Sequence, residues 1–302
     1  MKKLLLVLLS AFAITAQAKE NITIYYGWNA SDVAANFHRT LAAEANKQQD
    51  KYNFIFDVKP GAGAAIAAMY VAKTPDTILA TSSAFWIRPN FFPAESHRVD
   101  DFRELMPQCA APLTLVSGKY KSFSEIPKDK PLTVAVSGLG ITTHLVATEI
   151  AKKYPNMTVI PFKSTAEGVI SVLGGQTDFG VNFVGDSEQY TLPTSKTRLY
   201  MLGVTGTESV LGAKTFASQG FDRITDSLNA PAHLAIPITW SDTKFKEVRG
   251  ILVKAARSQA VLDSYKPDHC QSLNQMSDEQ IQPWFNAQNA RWKRIASGIT
   301  LK

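Results

Sequence analysis

The chain has 302 residues, 45% apolar and 19% charged, a make-up that excludes a disordered or fibrous protein and supplies enough apolar residues for two cores. Its formal charge of +6 brings nucleic acid and anionic ligands into consideration.

The start reads Met1-Lys2-Lys3, then a mostly apolar run over 4–14, then Ala16-Gln17-Ala18. These are the basic start, short apolar core and small-x-small site of a secretory signal peptide (1–18). The alternative, a membrane anchor, needs about 20 apolar residues. Loss of Lys2 and Lys3 takes the charge from +6 to +4, spread without a basic block or interleaved aromatics, so nucleic acid is not an expected partner.

Beyond residue 18, β-rich runs alternate with helical patterns. A strand over 22–26 precedes a helix with Val33, Phe37 and Leu41 at four-residue spacing. A strand over 54–58, a glycine turn and a helix with Ile66, Met69 and Tyr70 on one face come next, then a strand over 77–81. Further strands are expected over 113–116, 132–136, 157–160, 179–183 and 199–204, with helices between most of them. The end is helical: one helix over 245–262 carries Val248, Ile251 and Leu252, and a capping box from Ser277 to Gln280 opens another. This alternation predicts an α/β protein with parallel sheets covered on both faces.

Cys109 and Cys270 are the two cysteines. An exported chain meets an oxidising compartment, so a disulfide between them and a buried free thiol are both open readings. Neither belongs to a CxxC pair.

In such folds ligands sit at the carboxyl ends of strands, where helix N-termini present free amides. Four turns qualify. Trp28-Asn29-Ala30-Ser31-Asp32 follows the first strand, with Ser31 or Asp32 able to cap the next helix. Pro60 to Gly63 follows the second strand, either a tight turn or a ligand contact. Ser82 and Ser83 follow the third. Ser137-Gly138-Leu139-Gly140-Ile141-Thr142-Thr143 is the most informative, with two glycines that allow close backbone approach and three hydroxyls.

Neither glycine turn completes a dinucleotide fingerprint, since Ile66 and Thr143 stand where its third glycine would be. Ser137 and His144 invite a hydrolase reading, but Ala135 replaces the first glycine of a nucleophile elbow. The histidines at 38, 97, 144, 233 and 269 have no metal-site spacing, so neither metal nor cofactor is expected. Binding without catalysis is the stronger reading.

Several motifs in order resemble the Bug family, the periplasmic substrate-binding proteins of tripartite tricarboxylate transporters. They are Lys59-Pro60-Gly61-Ala62-Gly63, Thr74-Pro75-Asp76, Asn90-Phe91-Phe92-Pro93, Asp101-Phe102, the 137–144 segment, Pro161-Phe162-Lys163 and Leu173-Gly174-Gly175-Gln176-Thr177-Asp178.

The resemblance implies a type II periplasmic-binding fold: lobe 1 from 19–116 plus 230–302, lobe 2 from 117–229, two crossover strands and a central cleft. It implies that a ligand carboxylate is held between the turns at Tyr26 to Asp32 and Ser137 to Thr143. The expected ligand residues are therefore Tyr26, Trp28, Asn29, Ala30, Ser31, Ser82, Ser83, Ser137, Gly138, Gly140, Ile141, Thr142 and Thr143, with Lys163 and Asn182 from the second lobe. Two departures alter the pocket: Trp28-Asn29-Ala30 replaces paired glycines, and Phe162-Lys163-Ser164 replaces tyrosine-lysine-glycine. The implied partners of a monomer are a small organic acid and membrane permease subunits. A ligand sensor that signals to a receptor is the alternative, with a serine hydrolase a distant third.

Overall fold

The computed structural model describes residues 18–224 and 228–300, so nearly all of the expected signal peptide lies outside the described residues. The elements are β1 (Glu20–Tyr26), α1 (Val33–Lys47), β2 (Tyr52–Val58), α2 (Ala65–Val71), β3 (Thr77–Thr81), α3 (Ala84–Phe91), β4 (Phe102–Ala111), β5 (Leu113–Ser117), β6 (Leu132–Val136), α4 (Thr142–Ala151), β7 (Met157–Pro161), α5 (Thr165–Leu173), β8 (Phe179–Phe183), α6 (Val184–Thr191), β9 (Tyr200–Val204), β10 (Ala230–Pro237), α7 (Asp242–Ala256), α8 (Gln259–Tyr265), β11 (Gln271–Ser272) and α9 (Asp278–Ser297).

They build two lobes, one around each of two sheets. The first sheet has the order β11-β4-β10-β3-β1-β2, the second β7-β6-β8-β5-β9. Central strands such as β3 and β5 are buried along their whole length, as strands covered on both faces are. Ile22, Ile24, Phe37, Leu41 and Leu252 pack in the first lobe and Val134, Leu145, Ile150 and Phe179 in the second. Each fully buried side chain of this kind contributes about 1.5–3 kcal/mol.

The sheets are mixed and not purely parallel. β1 pairs in parallel with β2 and β3, and β6 with β7 and β8, whereas β10 and β5 run antiparallel to their neighbours. Those two reversed strands adjoin the points where the chain changes lobe. It crosses at Pro112, between β4 and β5, and returns ahead of β10, so the expected boundary at 116 falls inside β5. At this hinge the Thr205 hydroxyl donates to Asn229 Oδ1 at 2.6 Å and accepts the Leu113 N–H at 2.8 Å, tying the two crossings together.

Two other expectations change. Ile66 and Tyr70 are exposed on α2, and Ala67, Ala68 and Val71 form its buried face, because alanines let the helix lie close to the sheet. Tyr70 packs edge-on against Tyr25. The single helix expected over 245–262 is two, α7 and α8, the second restarting at Ser258, whose hydroxyl accepts the Val261 N–H. The capping box of α9 forms, with Gln280 Oε1 accepting the Ser277 N–H at 2.9 Å.

Cys109 and Cys270 form a disulfide with their α-carbons 5.4 Å apart, closing a separation of 161 residues. It fixes the segment before β11 to β4.

Candidate ligand-binding site

The crossover strands have two faces, and each face meets a cavity. Ala111, Leu113, Ala230 and Ala232 line one cavity, and Ala110, Pro112, Asn229 and Pro231 line the other, following the two-residue alternation of extended chain. The back cavity is the larger, about 600 Å³, between the 205–211 loop and α9 residues Trp284, Gln288 and Arg291. Its lining takes the segment after β9 and Leu273 from the β11-to-α9 connection, and none of the turns that follow β1, β3 or β6. The front cavity leaves about 30 Å³ of water-sized space, yet the turns of both lobes converge there.

From the first lobe the front wall takes Tyr26, Trp28, Asp32, His38, Thr81 and Ser82. From the second it takes Ser137, Ile141, Thr142, Thr143, Thr165 and Phe183. Seven expected residues thus meet in one place: Tyr26, Trp28, Ser82, Ser137, Ile141, Thr142 and Thr143. Trp28 leans on Tyr26, ring centroids 5.4 Å apart, and is nearly buried.

The other expected residues lie elsewhere. Ala30 and Ser31 are exposed on the outside of their turn. Asn29 donates across the cleft to Glu167 at 2.7 Å and to Ser164 at 3.3 Å. Ser83 is hydrogen-bonded to Thr142 of the opposite lobe. Gly138 packs against the first lobe, where a Cβ would stand 3.4 Å from Gly63 Cα, and at Gly140 a Cβ would strike Phe92. Both have positive φ, 131° and 67°. Lys163 is exposed at the outer rim beside Gly61 to Gly63. Asn182 donates to Ser187 at 2.9 Å and to the Phe183 carbonyl at 2.6 Å, in the first turn of α6.

The rim is therefore shut by paired turns. The 61–64 turn, with Ala62 and Ala64 at φ 48° and 69°, sets Gly63 against Gly138. Arg88 Nη1 donates to the Leu139 carbonyl at 2.8 Å, a cross-lobe contact that sequence reading missed because nothing local marks it.

Asp32 does not cap its own helix α1, as expected of it. Its carboxylate lies across the cleft, beside the Ser164 hydroxyl and the Ala166 N–H at the head of α5, which oppose the rise of its pKa. Asp186, at the head of α6, in turn accepts the Val33 N–H that opens α1, at 3.3 Å. Asp268, two residues before Cys270, accepts the Gly185 N–H of α6 at 3.1 Å. Each carboxyl group thus sits at a helix N-terminus of the opposite lobe, where the first N–H groups lack partners within the helix.

The three acids cluster about the Tyr26 hydroxyl, with Asp32 the first of the charges that bear on it. Burial, and then the charge of Asp186, push Asp32 up to about 8. Burial raises Asp186, and burial with the charge of Asp186 holds Asp268 well above its ordinary value. Burial lowers His38 to about 3, so its imidazole is neutral. No Lys or Arg lines this wall among the described residues.

The two residues of the hydrolase alternative, Ser137 and His144, are each bonded within their own turn. The Ser137 hydroxyl is bonded to Thr143 at 3.2 Å, and His144 Nδ1 accepts the Gly140 N–H at 2.9 Å, so the imidazole clips its own turn.

Solved structures share this fold. The periplasmic binding protein BugD aligns at 18% identity over 92% of this chain and 97% of its own, with a TM-score of 0.81. MatC from Rhodopseudomonas palustris with bound malate aligns at 16% over 92% and 99%, TM-score 0.80. An R. palustris protein with adipate aligns at 18% over 92% and 96%, TM-score 0.78. No curated protein has a similar sequence. The sequence pattern of the tripartite tricarboxylate transporter family receptor matches residues 37–299. With this match spanning most of both lobes, the chain belongs to the tripartite tricarboxylate transporter receptor family.

Proposed function

We propose that the protein is a periplasmic solute receptor that captures a small organic acid between its lobes and delivers it, as a monomer, to the permease subunits of a tripartite transporter. One observation carries the reading: the front cavity is walled by turns of both lobes, so a ligand there stabilises the closed state by touching both. Support comes also from the malate and adipate in MatC and the second R. palustris protein.

The N-termini of α1, α5 and α6 are engaged by Asp186, Asp32 and Asp268. That of α4 carries no side-chain cap and brings Thr142 and Thr143 to the wall, beside Ser82, whose hydroxyl accepts the Ala84 N–H that opens α3 at 3.4 Å. The ligand carboxylate takes this end of α4, held by its amides and by the hydroxyls beside it. The free space of about 30 Å³ is too small for an organic acid, so the lobes part to admit it and close until it fills the gap. No bond is broken in this cycle, and the chemistry is reversible capture.

The test is a thermal-shift panel of mono-, di- and tricarboxylates and amino acids, followed by calorimetry and a search for turnover. One-to-one binding of an acid that is recovered unchanged is expected. A panel in which only neutral solutes raise the melting temperature overturns the reading.

A further inference from the structure

We propose that the captured acid also carries a cationic amino group, and that Asp32 and Asp268 receive it. The inference rests on the proposed function and narrows its ligand class.

The front wall carries two carboxyl groups, with Asp186 close behind them and no Lys or Arg to offset them among the lining residues described. A di- or tricarboxylate entering there adds negative charge to an acidic cluster. An ammonium group neutralises it and removes the cost of bringing these acids together when the lobes close. The cluster is not arranged for a metal, since no group of three potential ligands among the described residues has suitable geometry.

A second set of groups points the same way. His38 Nδ1 and Thr81 Oγ1 belong to residues only 1% exposed, both on the cavity wall, and neither atom has a hydrogen-bond partner. Asp32 Oδ1 is likewise buried without a partner. Buried polar atoms are ordinarily satisfied. A neutral imidazole, a hydroxyl and a carboxylate oxygen are all able to accept, and an ammonium group has three N–H donors to give. The His38 ring lies 5.2 Å from that of Tyr26, around whose hydroxyl the acids gather. Tyr26, Trp28, Phe37 and Phe183 supply ring surface of the kind that attracts cations.

The two ends of the ligand are thereby separated. Its carboxylate takes the uncapped end of α4, and its ammonium takes the side where α1, α5 and α6 are already occupied by acids.

The test is calorimetry on matched pairs that differ by the amino group: alanine and propionate, 4-aminobutyrate and butyrate, 6-aminohexanoate and hexanoate, with succinate, malate and adipate alongside. In at least one pair the amino member binds about tenfold or more tightly than its partner, the size of a charge-assisted contact. Asp268→Asn, which keeps an oxygen for the Gly185 N–H, reduces that preference to about threefold or less while the unliganded melting temperature holds or rises. Asp32→Asn gives the same readout should the first variant fold poorly. Tighter binding of simple acids or dicarboxylates than of every amino member overturns this inference and leaves the organic-acid receptor standing. Equal binding of butylamine and 4-aminobutyrate upholds the amino subsite and overturns the organic-acid reading. Binding of no acid and no amine overturns both.

Discussion

Gly185 and Asp268 meet across the cleft, the N–H of one donating to the carboxylate of the other at 3.1 Å. Gly185 opens α6 of the second lobe, whereas Asp268 stands in a segment of the first lobe fixed by Cys270. There is no room for another residue at 185, where a Cβ would lie 2.4 Å from Asp268 Oδ1 and 2.5 Å from the Pro267 carbonyl. The disulfide thus sets the position of a lobe-to-lobe contact as well as that of a cavity acid.

Reduction of the disulfide, or Cys270→Ser, is expected to lower stability by about 2–4 kcal/mol, the usual range for a native cross-link over a long loop. Chemical denaturation with and without reductant measures this. Ligand affinity should fall in the same samples, because Asp268 is released from its place; unchanged affinity would separate the disulfide from the site.

Gly138→Ala should weaken ligand binding more than it lowers the melting temperature. The position has φ 131° and faces Gly63, so the added methyl both strains the turn and holds the lobes apart. Small-angle scattering should show a more open molecule at saturating ligand, and a compact one would refute the assignment.

Arg88→Ala removes the donor to the Leu139 carbonyl and shifts the balance towards the open state. One buried charged hydrogen bond of about 1.5–3 kcal/mol corresponds to a loss of roughly tenfold to a hundredfold in apparent affinity. The comparison is by calorimetry against the parent protein, with circular dichroism to verify the fold.

Stability should fall as pH rises from about 4 to about 8. Asp32 moves from an ordinary 3.8 to about 8 in the closed protein, first through burial and then through Asp186. Glu167 adds to the rise, and the Ala166 amide and Ser164 hydroxyl oppose it. Asp268 and Asp186 are raised as well, Glu188 adding to the rise at Asp268, and Tyr26 and the neutral His38 stand beside them. The closed form binds the proton more tightly than the open or unfolded chain. Its advantage is complete below the unfolded value and is lost through the closed-state value. Melting temperatures across pH 5 to 8 measure the slope, and Asp32→Asn should flatten it.

The parallel halves of both sheets were legible because β1, β3, β6 and β8 are short apolar runs between turn residues. β4 and β10 were missed. They carry Glu104, Pro107, Gln108, Pro231 and His233, and what makes them strands is pairing with each other through tertiary structure, including a buried His233–Glu104 contact at 2.8 Å. The convergence of Tyr26, Trp28, Ser82 and the 137–143 turn followed from the rule about strand ends. The acid cluster did not, since Asp32, Asp186 and Asp268 are far apart in sequence and each resembles a surface acid. The one local hint was Asp268 two residues before a cysteine, which matters only once Cys270 is joined to Cys109.

The alternation along the crossover strands has a mechanical meaning. Because Ala111 and Ala230 face one cavity while Ala110 and Pro231 face the other, a rotation about these strands moves the two in opposite senses, like the arms of a see-saw. The shut front and the roomy back are one state seen from two sides. If the cleft opens by rotation about these strands, the space beneath Trp284 and Arg291 narrows, and solute capture would then change the outline of the protein on a face that the solute never touches.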